Sequence, residues 1–134
     1  PHTIEEKMQP YATAPSGGPL VQPALIAMLE LCHQGLFTPE FVARKMAHDV
    51  ATCFRIRERG FIREGYFADL VLVNMNHPTK VEKDNLLYKC GWSPFEGTSF
   101  RSSVTHTFIN GHLVYERGKV REVSNGQRLE FDAR

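Results

Sequence analysis

Six histidines in a chain of 134 residues invite a metal site. His106 and His112 are the tempting pair, but they flank Asn110-Gly111. A two-residue turn there puts their side chains on opposite faces of a hairpin, so they do not share an ion. His106, on an apolar face, reads as a hydrogen-bonded packing residue. His33 and His48 lie on separate helical segments without an i, i+4 partner histidine, and His77 precedes Pro78 in a loop. No HxH, HExxH or CxxC occurs, so no residue is assigned as a metal ligand.

Nucleophilic chemistry has no better footing. There is no G-x-S-x-G elbow, and Ser16, Ser93, Ser99, Ser102, Ser103 and Ser124 fall in or beside loops. Glu5-Glu6 and the Glu82, Asp84 pair read as solvated loop carboxylates. What resists a bland account is the beginning. His2 is a cationisable group behind the rigid Pro1, and Ala14-Pro15-Ser16-Gly17-Gly18 is a sharp turn that exposes backbone N–H groups to a small polar ligand. The plainer alternative is a stray terminus and a connector leading into a helix.

The elements that must position these groups follow from periodicity. Residues 1–21, with prolines at 1, 10, 15 and 19, read as irregular. Gln22-Pro23 starts a helix with Leu25, Met28, Leu29 and Cys32 as its apolar stripe and Gly35 as its stop. Thr38-Pro39-Glu40 starts another, with a threonine N-cap, proline in the first turn and a favourable acid. Val42, Met46, Val50 and Cys53 would form its buried stripe. After about Arg57 the pattern turns to β. Gly60 to Gly65 reads as a short strand and turn, and Ala68 to Val73 as a mostly buried strand. Residues 74–103 read as a long polar loop that is functional or packed by its own aromatics. Asn110-Gly111 centres a type I′ hairpin in which Ile109 pairs with His112, Phe108 with Leu113, and His106 with Tyr115.

Composition narrows the class. A hydrophobic content of 42% and charged content of 23% suit a globular chain, and a net charge of +1 gives no case for nucleic acid or an anionic membrane. No stretch approaches the roughly 20 apolar residues of a membrane span, and no secretory leader is evident. The cysteines, Cys32, Cys53 and Cys90, are odd in number. Cys32 and Cys53 read as reduced core residues, which suits a cytoplasmic protein.

Several motifs together resemble dihydroorotase, a cyclic amidohydrolase of the bacterial single-chain type. PHTIEEK resembles the end of that family's D-H-A-P-H-T-x-E-E-K, and YATAPSGGPLVQ its substrate-loop segment. ARKMAHDVATCFRI resembles a helix that usually carries Asn-Pro-Ala, here replaced around His48-Asp49-Val50-Ala51. GFIREGYFADLVLV resembles the G-x-I-x-x-G-x-x-A-D-L-V-L signature of amidohydrolases. KCGWSPFEG resembles their S-K-x-x-x-S-P-F-x-G, with Tyr88-Lys89 in place of Ser-Lys.

The resemblance covers essentially the whole chain and implies the C-terminal third of such an enzyme. The implied fold class is α/β: residues 1–57 as the last loop and outer helices of a (β/α)₈ barrel, and residues 58–134 as a small β-sandwich-like subdomain carrying the Asn-Gly hairpin. The implied reaction is reversible hydrolysis of the cyclic amide of dihydroorotate to N-carbamoyl-L-aspartate, in pyrimidine synthesis, with two Zn²⁺ ions. The zinc ligands and a catalytic aspartate would precede Pro1, so no catalytic residue lies in this chain. His2 would bind the substrate carboxylate, and Ala14, Ser16 and Gly17 would offer backbone groups. Partners implied are the preceding barrel, a homodimer mate or an aspartate transcarbamoylase. These residues alone would hold no zinc, turn over no substrate, and leave a sheet edge unpaired.

Competing readings are another cyclic amidohydrolase, such as an allantoinase or dihydropyrimidinase, and a non-catalytic dihydroorotase-like subunit. A third is a standalone β-rich binding module.

Overall fold

The computed structural model describes residues 2–122 and 126–133. Pro1 and Ser124 lie outside the described residues.

Short-range signals set the helix ends. Thr3, extended at φ −69° and ψ 167°, caps α1 (Ile4–Lys7). Its hydroxyl accepts from the Glu6 N–H while the Glu6 carboxylate accepts from the Thr3 N–H, a full capping box. Residues 1–21 are therefore not wholly irregular. α2 (Ala24–His33) ends in a Schellman arrangement. Gly35, at φ +75°, donates to Cys32 O, and Leu36 donates to Leu31 O at 3.0 Å. α3 (Pro39–Ala43) opens as expected, with the Thr38 hydroxyl accepting from Phe41 N and Pro39 in the first turn.

The stripes differ from expectation. In α2 the buried side chains are Ile26 and Leu29, in line with the buried Pro23, while Leu25, Met28 and Cys32 are only half-buried. Beyond α3 the chain takes a π turn over Arg44–His48 before α4 (Asp49–Phe54). Asp49 N–H reaches back five residues to Arg44 O. The inner face therefore runs from Val42 to Ala47 to Ala51, and Met46, Val50 and Cys53 face solvent. Cys53 is thus an exposed thiol and not a core residue.

Residues 60–65 form bends and turns instead of a strand. What they provide is close packing: a Cβ on Gly60 would sit 2.4 Å from Ala51 Cβ and 3.0 Å from Ala47 O. Gly60 also has φ +79°.

The main sheet is antiparallel in the order β1-β4-β5-β6, with β1 at Leu70–Asn74, β4 at Ser103–Ile109, β5 at His112–Glu116 and β6 at Lys119–Val120. β1 is an edge strand, and its Val71, Leu72 and Val73 are exposed where burial was expected. Alternating apolar residues specify a strand but not what covers it. Asn110 and Gly111 have φ +50° and +80°, as a type I′ turn requires. Ile109↔His112 and Phe108↔Leu113 pair as expected, after which Val114 bulges, so Thr107 faces Tyr115 and His106 faces Glu116. The expected His106–Tyr115 pair is displaced by that extra residue.

Residues 74–103 are more ordered than a loop. β2 (Thr79–Lys80) and β3 (Ser99–Phe100) form a second antiparallel ribbon, with a 3₁₀ turn at Lys83–Asn85 between them. Val81 and Phe100 pack with Ile26 of α2 as the core, and Phe95 meets Phe100 edge-to-face at 5.3 Å. Glu30 accepts the Arg101 guanidinium at 2.7 and 3.0 Å, fastening α2 beside β3.

Candidate functional site

The residues singled out for chemistry flank α1: His2 at its start is fastened to the 90–97 loop, and the turn with Ala14, Ser16 and Gly17 is fastened to its last turn. His2 is exposed, with Nδ1 3.3 Å from Glu6 Oε2. That same oxygen accepts the Thr3 N–H at 2.7 Å, so the capping box also aims the carboxylate at the imidazole. Lys7, in the last turn of α1, donates from Nζ to Pro15 O at 2.5 Å. This bond ties the turn that holds Ser16 and Gly17 to the helix that follows His2. Trp92 Nε1–H donates to the His2 carbonyl at 2.8 Å across 90 positions of sequence.

Within the turn, Ala14 N–H donates to Pro10 O at 2.9 Å, so that donor is already engaged. Ser16 and Gly17 are exposed, and Gly17 adopts φ +87°. Successive N–H groups beside a left-handed residue form a concavity suited to an oxygen anion. Among the described residues neither N–H has an internal partner. A cationisable ring and a donor-bearing turn are thus held near one helix, an arrangement that can recognise a carboxylate or a ring carbonyl.

Sequence reasoning missed Glu6, Lys7 and Trp92. Glu5 and Glu6 are not merely solvated acids. Glu5 sits in the first turn of α1, where hydrogen bonds from its own backbone N–H and the Thr3 side chain lower its pKa. Thr3-x-x-Glu6 is itself a capping-box pattern and carried the missing signal. Glu82 behaves as the plain reading holds, paired with Lys80 at 2.7 Å on the surface.

Three of the other histidines, His33, His48 and His106, have structural partners. His33 Nε2 lies 2.9 Å from Ser102 Oγ, and His48 stacks on Phe61 at 4.5 Å. His106 Nδ1 lies 3.1 Å from Thr105 Oγ1 and its Nε2 3.6 Å from Glu116. Among the described residues no group of three or more His, Cys, Asp or Glu side chains converges, so they do not fit a zinc pair. None of the described helices is long and apolar enough to cross a membrane.

Asp69, in the Ala-Asp-Leu motif, serves the fold. Its carboxylate pairs with the Arg59 guanidinium and accepts the Asn110 N–H at 2.8 Å, while Arg59 donates to Asn110 Oδ1 at 2.9 Å. Arg59 lies 4.0 Å over the Phe67 ring and is buried. This junction locks the hairpin turn to the entrance of β1.

Comparison with known proteins bears out the family likeness. The chain is 32% identical over 129 residues to the dihydroorotase of Methanothermobacter thermautotrophicus, covering 96% of this chain and 30% of that protein. It is 35% identical over 97 residues to an allantoinase of Desulfitobacterium hafniense, covering 72% of this chain and 22% of the relative. Among solved structures, the L-hydantoinase (dihydropyrimidinase) from Arthrobacter aurescens matches with a TM-score of 0.75 at 25% identity, over 83% of this chain and 25% of that one. No protein-family profile matches. The chain spans about 30% of the length of the dihydroorotases it matches, and its small α/β fold with an antiparallel sheet corresponds to about 25% of a hydantoinase.

Proposed function

We propose that this chain, dihydroorotase-like along 96% of its length, is the substrate-gripping part of a cyclic amidohydrolase that acts on dihydroorotate. The similarity to the dihydroorotases carries this reading. The site supports it: an imidazole and a donor-bearing turn suit a substrate with both a carboxylate and a cyclic amide. His2 binds the carboxylate, and the N–H groups of Ser16 and Gly17 bind the ring or carboxylate oxygens. Ala14 contributes its carbonyl, since its N–H is spent on Pro10.

In this reading residues 1–57 complete a (β/α)₈ barrel and residues 58–134 form its β-subdomain. The hydrolytic step would belong to parts of the protein beyond these residues, which would have to supply the ligands of two Zn²⁺ and the catalytic aspartate. A homodimer mate or an aspartate transcarbamoylase is the partner in this reading, in a cytoplasmic setting of pyrimidine synthesis; support of the transcarbamoylase without catalysis belongs to the competing non-catalytic reading.

A second reading, an allantoinase or hydantoinase, is favoured by the 35% identity to an allantoinase. It is the weaker because that match covers 72% of the chain against 96%.

The test is turnover by the whole protein of dihydroorotate, allantoin, hydantoin and dihydrouracil. Dihydroorotate should be preferred, and His2→Ala should raise its KM about ten- to hundredfold, as loss of a charged hydrogen bond implies. Preference for a ring without a carboxylate, or an unchanged KM in His2→Ala, overturns the assignment.

A further inference from the structure

We propose that Trp92 and Glu6 are positioning residues for His2, acting on its backbone and ring respectively; the inference rests on the carboxylate-binding role given to His2.

An exposed histidine on a short segment has free rotation about its side-chain bonds and recognises a ligand only at the cost of that freedom. Two contacts remove it here. Glu6 Oε2, 3.3 Å from Nδ1, is the charge partner of the imidazolium and holds the Nδ1 edge of the ring against α1, while Nε2 has no partner among the described residues. The carboxylate is itself aimed, because Oε2 also accepts the Thr3 N–H at 2.7 Å and Thr3 Oγ1 accepts the Glu6 N–H at 3.3 Å. Trp92 acts from the other side. Its indole N–H, donating to the His2 carbonyl at 2.8 Å, fixes the peptide from which the imidazole departs.

Trp92 can serve as an anchor because the loop carrying it is held by the core. Ser93 beside it is buried, and its hydroxyl accepts the Phe95 N–H at 3.2 Å. Phe95 in turn packs on Phe100, within the Ile26, Val81 and Phe100 cluster. The 90–97 loop thus transmits the rigidity of the second ribbon to a segment with no buried side chain of its own.

The test is a double-mutant cycle in the whole protein. Trp92→Phe keeps the packing ring and loses the N–H donor. It should raise KM for dihydroorotate about three- to tenfold with kcat nearly unchanged, and the effect should vanish in a His2→Ala background. Glu6→Ala should behave alike, while Glu6→Gln, which keeps the size and the Thr3 N–H bond but not the charge, should restore only part of the affinity. A KM effect that adds fully to that of His2→Ala overturns the inference. A spectroscopic arm separates this from the reaction assigned above. With ¹⁵N-labelled histidine and tryptophan, the Trp92 indole N–H should exchange slowly, and Trp92→Phe should shift the His2 ring nitrogens. If both hold and no cyclic amide is turned over, the reaction falls and the positioning stands. An indole N–H that exchanges as in free indole, with unmoved His2 resonances, overturns the positioning whatever the activity.

Discussion

The His2 segment and the Arg59, Asp69 and Asn110 junction are both tied by polar groups, in opposite surroundings. Residues 2–18 expose nearly every side chain, and their bonds compete with water. Arg59, by contrast, is 8% exposed and has two polar partners and an aromatic face. Water replaces a lost surface hydrogen bond at little cost, whereas a buried charge stripped of its partner has no substitute. Substitutions in the first region should therefore change recognition and leave the fold, and substitutions in the second should do the reverse.

The sharpest way to probe the buried side is Gly60→Ala. Its new Cβ meets Ala51 at 2.4 Å on a backbone at φ +79°, so about 2–4 kcal/mol of stability should be lost. A urea denaturation midpoint within error of the parent would break the comparison at its firmest point. Arg59→Ala comes next. It strands Asp69 beside the hairpin turn and should cost roughly 1–3 kcal/mol, less than full burial would imply because the Asp69 side chain is 33% exposed. If thermal unfolding shows no loss, the junction does not lock the turn.

The smallest effect belongs to the surface pair of Glu30 and Arg101. Hydrogen bonds from Arg101, first through its side chain and then through its backbone, hold the Glu30 carboxyl below its ordinary 4.5. A depressed carboxyl stabilises the folded state above the ordinary value and loses that contribution as pH falls through the folded one. Glu30→Gln should therefore be slightly less stable than the parent at neutral pH, and the difference should close as pH falls below the ordinary carboxyl value. A difference that persists in acid would contradict the assignment.

Local signals were legible in the sequence where local chemistry decides the outcome. Asn110-Gly111 specified its turn, and Thr38-Pro39-Glu40 its helix start. Leu29 and Val42 are buried as the periodicity expected, but the stripe beyond Val42 was not legible, because an inserted π turn moves the inner face to Ala47 and Ala51, which no 3.6-residue count anticipates. Val71 and Leu72 announced a strand, yet their exposure depends on what lies against β1. The candidate site divides in the same way. His2 and the glycine turn stood out by residue type, whereas the Thr3-x-x-Glu6 spacing was there to be read and is missed when Glu5-Glu6 is taken as loop carboxylates. The Trp92 bond to His2 joins positions 90 apart, and only the folded ribbon brings them together.

The π turn carries a consequence for reading related sequences. One α-helical residue corresponds to about 100° of rotation, and the π turn absorbs one extra residue, so removing any one of residues 44–48 would restore regular winding with the inner face at i, i+4 and i+8 and Ala51 still against Gly60. A relative one residue shorter here would lose the π turn and seat its glycine against the same face of the helix. A single-position gap at this point in an alignment therefore marks loss of the π turn with the docking kept, and conservation on either side should be counted from Val42 and Ala51 separately.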